Sequence, residues 1–384
     1  MQNPWIRGAF ISVITAAGVF LGIRAGFSGS AAPPASSAIK EAPAAENSLN
    51  ALPSSSAEPV LSKNSIELPI PSPRLVISAV GDCTLGNDYR VPRAPGTFNN
   101  QMELVDNDYR YPFSGVIEVL GADDLSIANL ETTLSTAKTH IEAPFVFAGK
   151  PEYAAILRLG SIEAVNVANN HSYDLGQAGF DETLESLQSE GIAYFGNGHI
   201  DRRVIKGIEI VNLGYTGGRF SVGAAMKRAI SAEKKPDNLV IVSFHWGVEG
   251  SNIPIAEQQF LGRAAIDAGA DWVIGHHPHV LQGIEYYKGN PIVYSLGNFV
   301  FGGNSNPADK DSMIAQAVFR KVTGKVEREE LRFLPVRIST AEDKNDYRPV
   351  LLGGQDKERV LARLKLYSDK LLPASEKPLN QPSK

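Results

Sequence analysis

The sequence predicts an α/β fold, and three observations predict it. Short apolar runs rich in β-branched residues alternate with amphipathic stretches between Arg74 and Asn298, the pattern of strands separated by helices. In five of those runs the polar residues stand at the carboxyl end, the edge where ligands collect in sheets of this class. After Asn298 the alternation gives way to two long runs that read as antiparallel strands.

The candidate strands, in order, are RLVISAVGD (74–82), DDLSIANLE (123–131), EAVNVANNH (163–171), GIEIVNLGY (207–215), NLVIVSFHWG (238–247), DWVIGHHPH (271–279) and PIVYSLGNFVF (291–301). Between them YPFSGVIEVLG (111–121), PEYAAILRLG (151–160), GQAGFDETLESLQSEG (176–191) and IAEQQFLGRAAIDAGA (255–270) have helical spacing, and several close on Gly at the usual stop position. MIAQAVFRK (313–321) and VEREELRFLPVRI (326–338) alternate like half-exposed strands, and GGQDKERVLARLKLYSDKLL (353–372) is an amphipathic helix followed by a loose tail.

Ahead of this folded part lie two segments of different character. Gly8 to Ile23 is uncharged and flanked by Arg7 and Arg24, a length on the border between a signal-peptide core and a membrane span of roughly 20 residues. We read residues 1–27 as a signal-anchor, with cleavage near SGSAA (28–32) as the alternative. Residues 28–73 are rich in Ala, Ser and Pro and too poor in large apolar groups to offset chain entropy, so they read as a linker. This order places residues 74–340 as one folded domain outside the cytoplasm at the cell membrane, with 341–384 as a C-terminal helix and tail; the alternative is a secreted or periplasmic protein.

Composition narrows the chemistry. In 384 residues, 37 Lys and Arg face 42 Asp and Glu, a net charge of −5, which leaves no basic stripe for nucleic acid. The single cysteine, Cys83, excludes an internal disulfide and a cysteine zinc cage, and reads as a buried, inert thiol. Three of the seven histidines, His276, His277 and His279, crowd into one Pro-containing loop that has no packing need for them. Alone, Asp82, the Asn-Asn-His run and His245 each have an ordinary structural reading: a turn, a helix cap, a core histidine. Together they bring carboxylate, amide and imidazole to the ends of separate strands, a donor set suited to Mn²⁺, Zn²⁺ or Fe. Two such ions about 3.5–4 Å apart serve phosphoryl displacement, and Glu131 is the candidate to bridge them.

The ordered series VGDCTLG, ANLETTLS, VANNHSYDLG, FHWGVE, GHHPHVLQGIE and PIVYSLGNFVF resembles bacterial capsule-synthesis proteins of the CapA type, linked to poly-γ-glutamate capsule assembly, from about Arg74 to about Phe301. That family is itself similar to the calcineurin-like metallophosphoesterases, which implies an α/β/β/α sandwich with a metal centre between two sheets. The resemblance implies metal ligands at Asp82, Glu131, Asn170 (with Asn169 in place of the usual Gly) and His245, and in the closing motif. There a spacing of two selects His277 with His279, the favoured pair, and a spacing of three selects His276 with His279. It implies that His171 donates a proton to the leaving group, oriented by Asp174. Asn129, Glu249 and Asn298, in the same motifs, are the candidates for substrate contact.

The chain departs from the phosphoesterase pattern where Cys83 and Thr84 follow Asp82 in place of x-His, and where Asn129, Leu130 and Glu131 replace a Gly-Asp pair, leaving one imidazole fewer. The expected cofactor is one or two divalent ions, manganese first, with zinc or iron as alternatives. Three functions compete: a membrane-tethered hydrolase of phosphoesters, a non-catalytic subunit that holds an anionic polymer for a membrane synthase or exporter, and an inactive recognition surface.

Overall fold

The run Leu75–Thr84 is buried almost throughout, as expected of a strand with neighbours on both edges and packing on both faces. It is the centre of a computed structural model that describes residues 73–217 and 220–371. The expected membrane segment, the linker up to residue 72 and the tail beyond residue 371 lie outside the described residues. Among the described residues no helix is long and apolar enough to cross a membrane.

The chain begins with β1 (Leu75–Thr84), β2 (Asn87–Asp88), α1 (Phe98–Leu104), α2 (Ile117–Leu120), β3 (Leu125–Leu130), β4 (Thr133–Leu134) and β5 (Phe147–Gly149). There follow α3 (Ala154–Leu159), β6 (Ala164–Asn166), α4 (Gly176–Ser189), β7 (Ala193–Phe195), β8 (Ile200–Ile205) and β9 (Ile208–Thr216). Next come α5 (Phe220–Glu233), β10 (Asn238–His245), α6 (Ala256–Ala268), β11 (Trp272–His276), β12 (Ile284–Tyr287) and β13 (Asn290–Val293). The chain closes with β14 (Asn298–Phe301), β15 (Asp311–Val322), β16 (Lys325–Arg337), β17 (Val350–Leu351) and α7 (Gly354–Asp369).

These strands form one sheet in the order β17-β16-β15-β1-β3-β6-β7, with β14 also against β1, and a second in the order β12-β13-β11-β10-β9-β8. A small sheet, β2-β5-β4, stands apart. The period-2 alternation of side chains decides the layers. Leu75, Ile77 and Ala79 of β1 face Ile241 and Ile274 of the second sheet in one inner core, whereas Val80 and Cys83 join Phe98, Phe113 and Leu187 on the outer face. In β10, Leu239 and Ile241 point inward while Val240, Val242 and Phe244 meet Met226 of α5 and Leu261 of α6. The result is a helix, sheet, sheet, helix stack, in which each fully buried large apolar side chain contributes about 1.5–3 kcal/mol.

Three local outcomes differ from the sequence reading. PIVYSLGNFVF is two strands, because Gly297 at φ 72° turns the chain from β13 in the second sheet to β14 in the first. MIAQAVFRK is buried through Phe319, not half-exposed; β15 lies between β1 and β16, and its Gln316 is satisfied by donating to Ser78 Oγ at 2.9 Å and accepting from Arg332 Nε at 2.8 Å. The helices α1 and α5 were not anticipated from the sequence. Val360 and Leu364 of α7 enter the inner core, and Arg359 and Arg363 tie α7 to Asp311 and Asp309 at 2.6 Å each.

Candidate metal centre

Parallel pairing brings the polar strand ends to one edge. β1 runs parallel to β3 and β14, and β3 to β6; β9, β10 and β11 are parallel in the second sheet. In register, Asp82 sits opposite both Asn129 and Asn298, Asn129 opposite Asn166, and His245 opposite His276. The β1–β3 register shifts between Ala79 and Asp82, a bulge of the kind that re-aims a side chain at a site. Gly81 permits the close approach of the turn before β14: a Cβ there would lie 2.1 Å from Gly297 O.

Two fully buried carboxylates lie at the meeting point of the sheets. Asp82 accepts from Asn129 Nδ2 at 2.9 Å and from the His277 backbone N–H at 3.1 Å, and lies 3.3 Å from His276 Nδ1 and from His279 Nδ1. Burial alone would raise its carboxyl, but the close approach and charge of His276 and His279 outweigh it and hold Asp82 well below the usual range. Glu131 is different. Its side chain has no exposure, and neither carboxylate oxygen has a hydrogen-bond partner. Burial pushes its carboxyl up, yet the nearby His245 and His279 bring it below its ordinary value.

The imidazoles complete the cluster. His245 Nε2 lies 3.2 Å from Glu131 Oε1 without hydrogen-bond alignment, while its Nδ1 is 3.2 Å from Asn129 Nδ2. His279 Nε2 is 3.7 Å from Glu131 Oε1, and its Nδ1 is 3.0 Å from Asn298 Oδ1. Burial and the adjacent His245 push His277 down to about 4, leaving a neutral ring with Nδ1 unpartnered. Burial has the same tendency at His279, but the Glu131 charge and the Asp82 bond prevail and push it up to about 9. His277 and His279 both hold positive φ, 94° and 58°, a backbone cost of order 1–3 kcal/mol each that tends to persist at functional sites.

Two groups of donors share Glu131: Glu131 with His245 and His277, and Asp82 with Glu131 and His279; a third joins Glu249, His277 and His279. In each, the ligating atoms lie within 4.8 Å of one another. The donor set fits a divalent cation. Buried atoms facing one another without hydrogen-bond alignment are what lone pairs aimed at a common point leave behind, and an uncompensated buried carboxylate is otherwise strongly unfavourable. His276 is buried against Asp82 and belongs to none of these groups. Cys83 is pushed up to about 12 by burial and by the charges of Asp82 and Glu131, so it is a protonated core thiol.

Amides form the second ring around the carboxylates. Asn166 Nδ2 donates to Asn129 Oδ1 at 3.0 Å, and Asn169 Nδ2 donates to the same oxygen at 3.3 Å and to Leu130 O at 2.8 Å. Asn170, expected as the ligand amide, is exposed, and the buried Asn169 beside it is the amide that reaches Asn129. The physical reason is local: Asn169 Oδ1 accepts from the His171 N–H at 3.1 Å in a tight turn, which draws Asn169 inward and leaves Asn170 at the turn's outer face. Asn129 is thus a structural hub. Asn298 holds His279, and Glu249 is exposed at the rim. Asn166 escaped the sequence reading, although an Asn inside a buried strand is itself unusual.

His171 and Asp174 meet as expected. His171 Nδ1 is 2.7 Å from Asp174 Oδ2, which also accepts from the Phe147 N–H at 2.5 Å, and the Phe147 ring lies 4.3 Å from the imidazole. With Nδ1–H donating to Asp174, Nε2 is the exchangeable nitrogen. His171, His279, Asn298 and Glu249 line a cavity of about 530 Å³.

Comparison with known proteins follows the same residues. The family described as bacterial capsule synthesis protein PGA_cap matches residues 76–303. The chain is 31% identical over 239 residues to the PGA biosynthesis protein CapA of Bacillus subtilis, covering 56% of this chain and 63% of that one. It is 31% identical over 274 residues to the capsule biosynthesis protein CapA of Bacillus anthracis, covering 63% of each. A probable polyglutamine synthesis accessory protein of Mycobacterium tuberculosis is 26% identical over 60% of this chain and 71% of its own. The chain thus spans a little under two thirds of the two Bacillus relatives. Among solved structures, the calcineurin-like phosphoesterase YfkN of Bacillus subtilis is similar at a TM-score of 0.40 and 14% identity, over 71% of this chain and 94% of that one. With the matched region covering the strands that build the site, the chain belongs to the bacterial capsule synthesis protein family.

Proposed function

We propose that this chain is an extracytoplasmic accessory protein of capsule or poly-γ-glutamate biosynthesis whose cleft is a metal-dependent, phosphoesterase-like hydrolase site. The observation that carries the chemistry is Glu131, a fully buried carboxylate with both oxygens unpartnered and three imidazoles around it. The Bacillus relatives, one named for PGA biosynthesis and one for capsule biosynthesis, support the process. The uncharged stretch from Gly8 to Ile23 supports a tether at the membrane's outer face, where synthase or exporter subunits would be neighbours.

Asp82, Glu131, His245, His277 and His279 would hold one or two ions, manganese by preference. Bound there, divalent ions supply Lewis-acid charge and make water a better nucleophile near neutral pH. The chain's own residues do the rest. Asn129 holds both Asp82 and His245 through its Nδ2, at 2.9 Å and 3.2 Å. Water adds to phosphorus and gives up one proton to solvent, the bond to the leaving oxygen breaks, and that oxygen takes a proton from Nε2 of the doubly protonated His171 while Asp174 stabilises the ring at Nδ1; a solvent proton then restores Nε2.

The test is turnover of a generic aryl phosphodiester by the Mn²⁺-supplemented protein. Activity lost in Asp82→Ala and in His171→Ala supports the proposal. Activity that survives both, or none with any divalent ion, overturns the hydrolytic part.

A further inference from the structure

We infer that the cleft takes a substrate with a single anionic group and a flat, uncharged body, and not an extended polyanion; this rests on the metal-site reading above. The walls carry the argument. Of the residues lining the 530 Å³ cavity none is Lys or Arg, and Glu249 and Asp309 add negative charge. Asp309 is compensated by Arg363 from α7 at 2.6 Å, while Glu249 has no Lys or Arg partner among the described residues and is exposed. An anionic group can be neutralised at the histidine and carboxylate cluster by its cations. A second and third anionic group along the same chain would find no Lys or Arg on this cavity's own wall, since Lys310, Arg337, Arg359 and Arg363 line the neighbouring cavity beside Ala308 and Asp309.

The rest of the wall is aromatic. Phe145, 58% exposed, stacks on Phe147 at 6.2 Å, Phe147 meets Phe301 edge-on at 6.4 Å, and Phe301 lies 4.7 Å from the His279 ring. Phe147 also contacts His171 at 4.3 Å. A continuous strip of rings therefore leads from solvent to a candidate metal ligand and to the candidate proton donor. What sets Phe145 apart from other exposed apolar side chains is its continuity with this strip, whose ring faces suit flat uncharged groups such as an aromatic ring or a sugar face.

The experiment measures Mn²⁺ binding to the full chain, then binding of three probes to the Mn²⁺-loaded protein: phenylphosphonate, methylphosphonate and an oligo-γ-glutamate. We expect phenylphosphonate to bind at least about threefold to tenfold more tightly than methylphosphonate. Phe145→Ala should erase that advantage with Mn²⁺ affinity unchanged, and the oligomer should not compete. If Mn²⁺ binds but the oligomer competes as well as phenylphosphonate, or the ring advantage survives Phe145→Ala, this inference is overturned while the metal site stands. If Mn²⁺ does not bind, the metal-site reading falls and takes the inference with it.

Discussion

Glu131 and His245 face each other across the two sheets, Oε1 to Nε2 at 3.2 Å, and neither atom has a hydrogen bond. Glu131 directly follows β3 and His245 closes β10, so the contact is also where the first sheet meets the second at its ligand-bearing edge. A cation between them would turn two buried liabilities into a crosslink between layers.

Glu131→Gln is therefore expected to weaken divalent-ion binding by well over tenfold, since even partners outside the ligand shell are worth 10–100-fold. Wild-type protein at an Mn²⁺ concentration about 100 times its Kd should gain about 2.7 kcal/mol of stability, and a variant weakened about a hundredfold only about 0.4 kcal/mol. Thermal melts with and without Mn²⁺ measure both. Equal shifts in the two proteins would contradict the assignment of Glu131.

Separating proton transfer from metal binding isolates the second role. Asp174→Asn keeps the shape but removes the carboxylate that accepts from His171 Nδ1. Loss of a positioned general acid typically costs 10²–10⁴ in rate, so a fall of about 10²-fold or more in phosphodiester turnover is expected, with Mn²⁺ stoichiometry unaltered. Normal turnover in the variant would remove Asp174 from the mechanism.

Asp123 lies away from the site and gives the chain a pH-dependent stability. Burial, set against hydrogen bonds from Ser78 and Ser126 and reinforced by Glu163 and Asp124, pushes its carboxyl from 3.8 up to about 7. Between these values the folded state holds a proton that the unfolded state has released, so the unfolding free energy falls as pH rises across that window and is flat above it. Asp123→Asn should match wild type near pH 3 and be the more stable protein at pH 8 in urea titrations. A constant difference at all pH values would refute the shift.

Gly81→Ala tests the seam between β1 and the turn before β14. With a methyl placed 2.1 Å from Gly297 O, backbone must move, and a loss of about 1–3 kcal/mol or more is expected from overpacking. The shift should also weaken metal binding, because Asp82 follows directly and its N–H donates to Gly297 O at 3.0 Å. Unchanged stability would show that the turn is more yielding than its packing implies.

What was legible in the sequence was whatever one strand carries by itself. The β-branched runs announced β1, β3, β10 and β11, and Asp82, Glu131, His245 and the 276–279 histidines sat at their ends, so the cluster could be anticipated without knowing strand order. Cross-strand relations were not legible. Asn166 became part of the network only because β6 lies in register with β3, and Asn169 turns inward while Asn170 is exposed because of a side-chain-to-backbone bond within one turn. The division of PIVYSLGNFVF between two sheets follows from Gly297, which a continuous apolar run conceals. Phe145 and Phe147 fall in a stretch without strand or helix periodicity, so nothing local marked them as cleft walls.

The most direct measurement is an anomalous-scattering crystal structure of the Mn²⁺-soaked protein. The account predicts at least one manganese peak in contact with Glu131 and with His245 and His277, and a second, if present, reached by Asp82 and His279. A soaked crystal with no peak at Glu131, or with manganese bound only elsewhere on the surface, would contradict it.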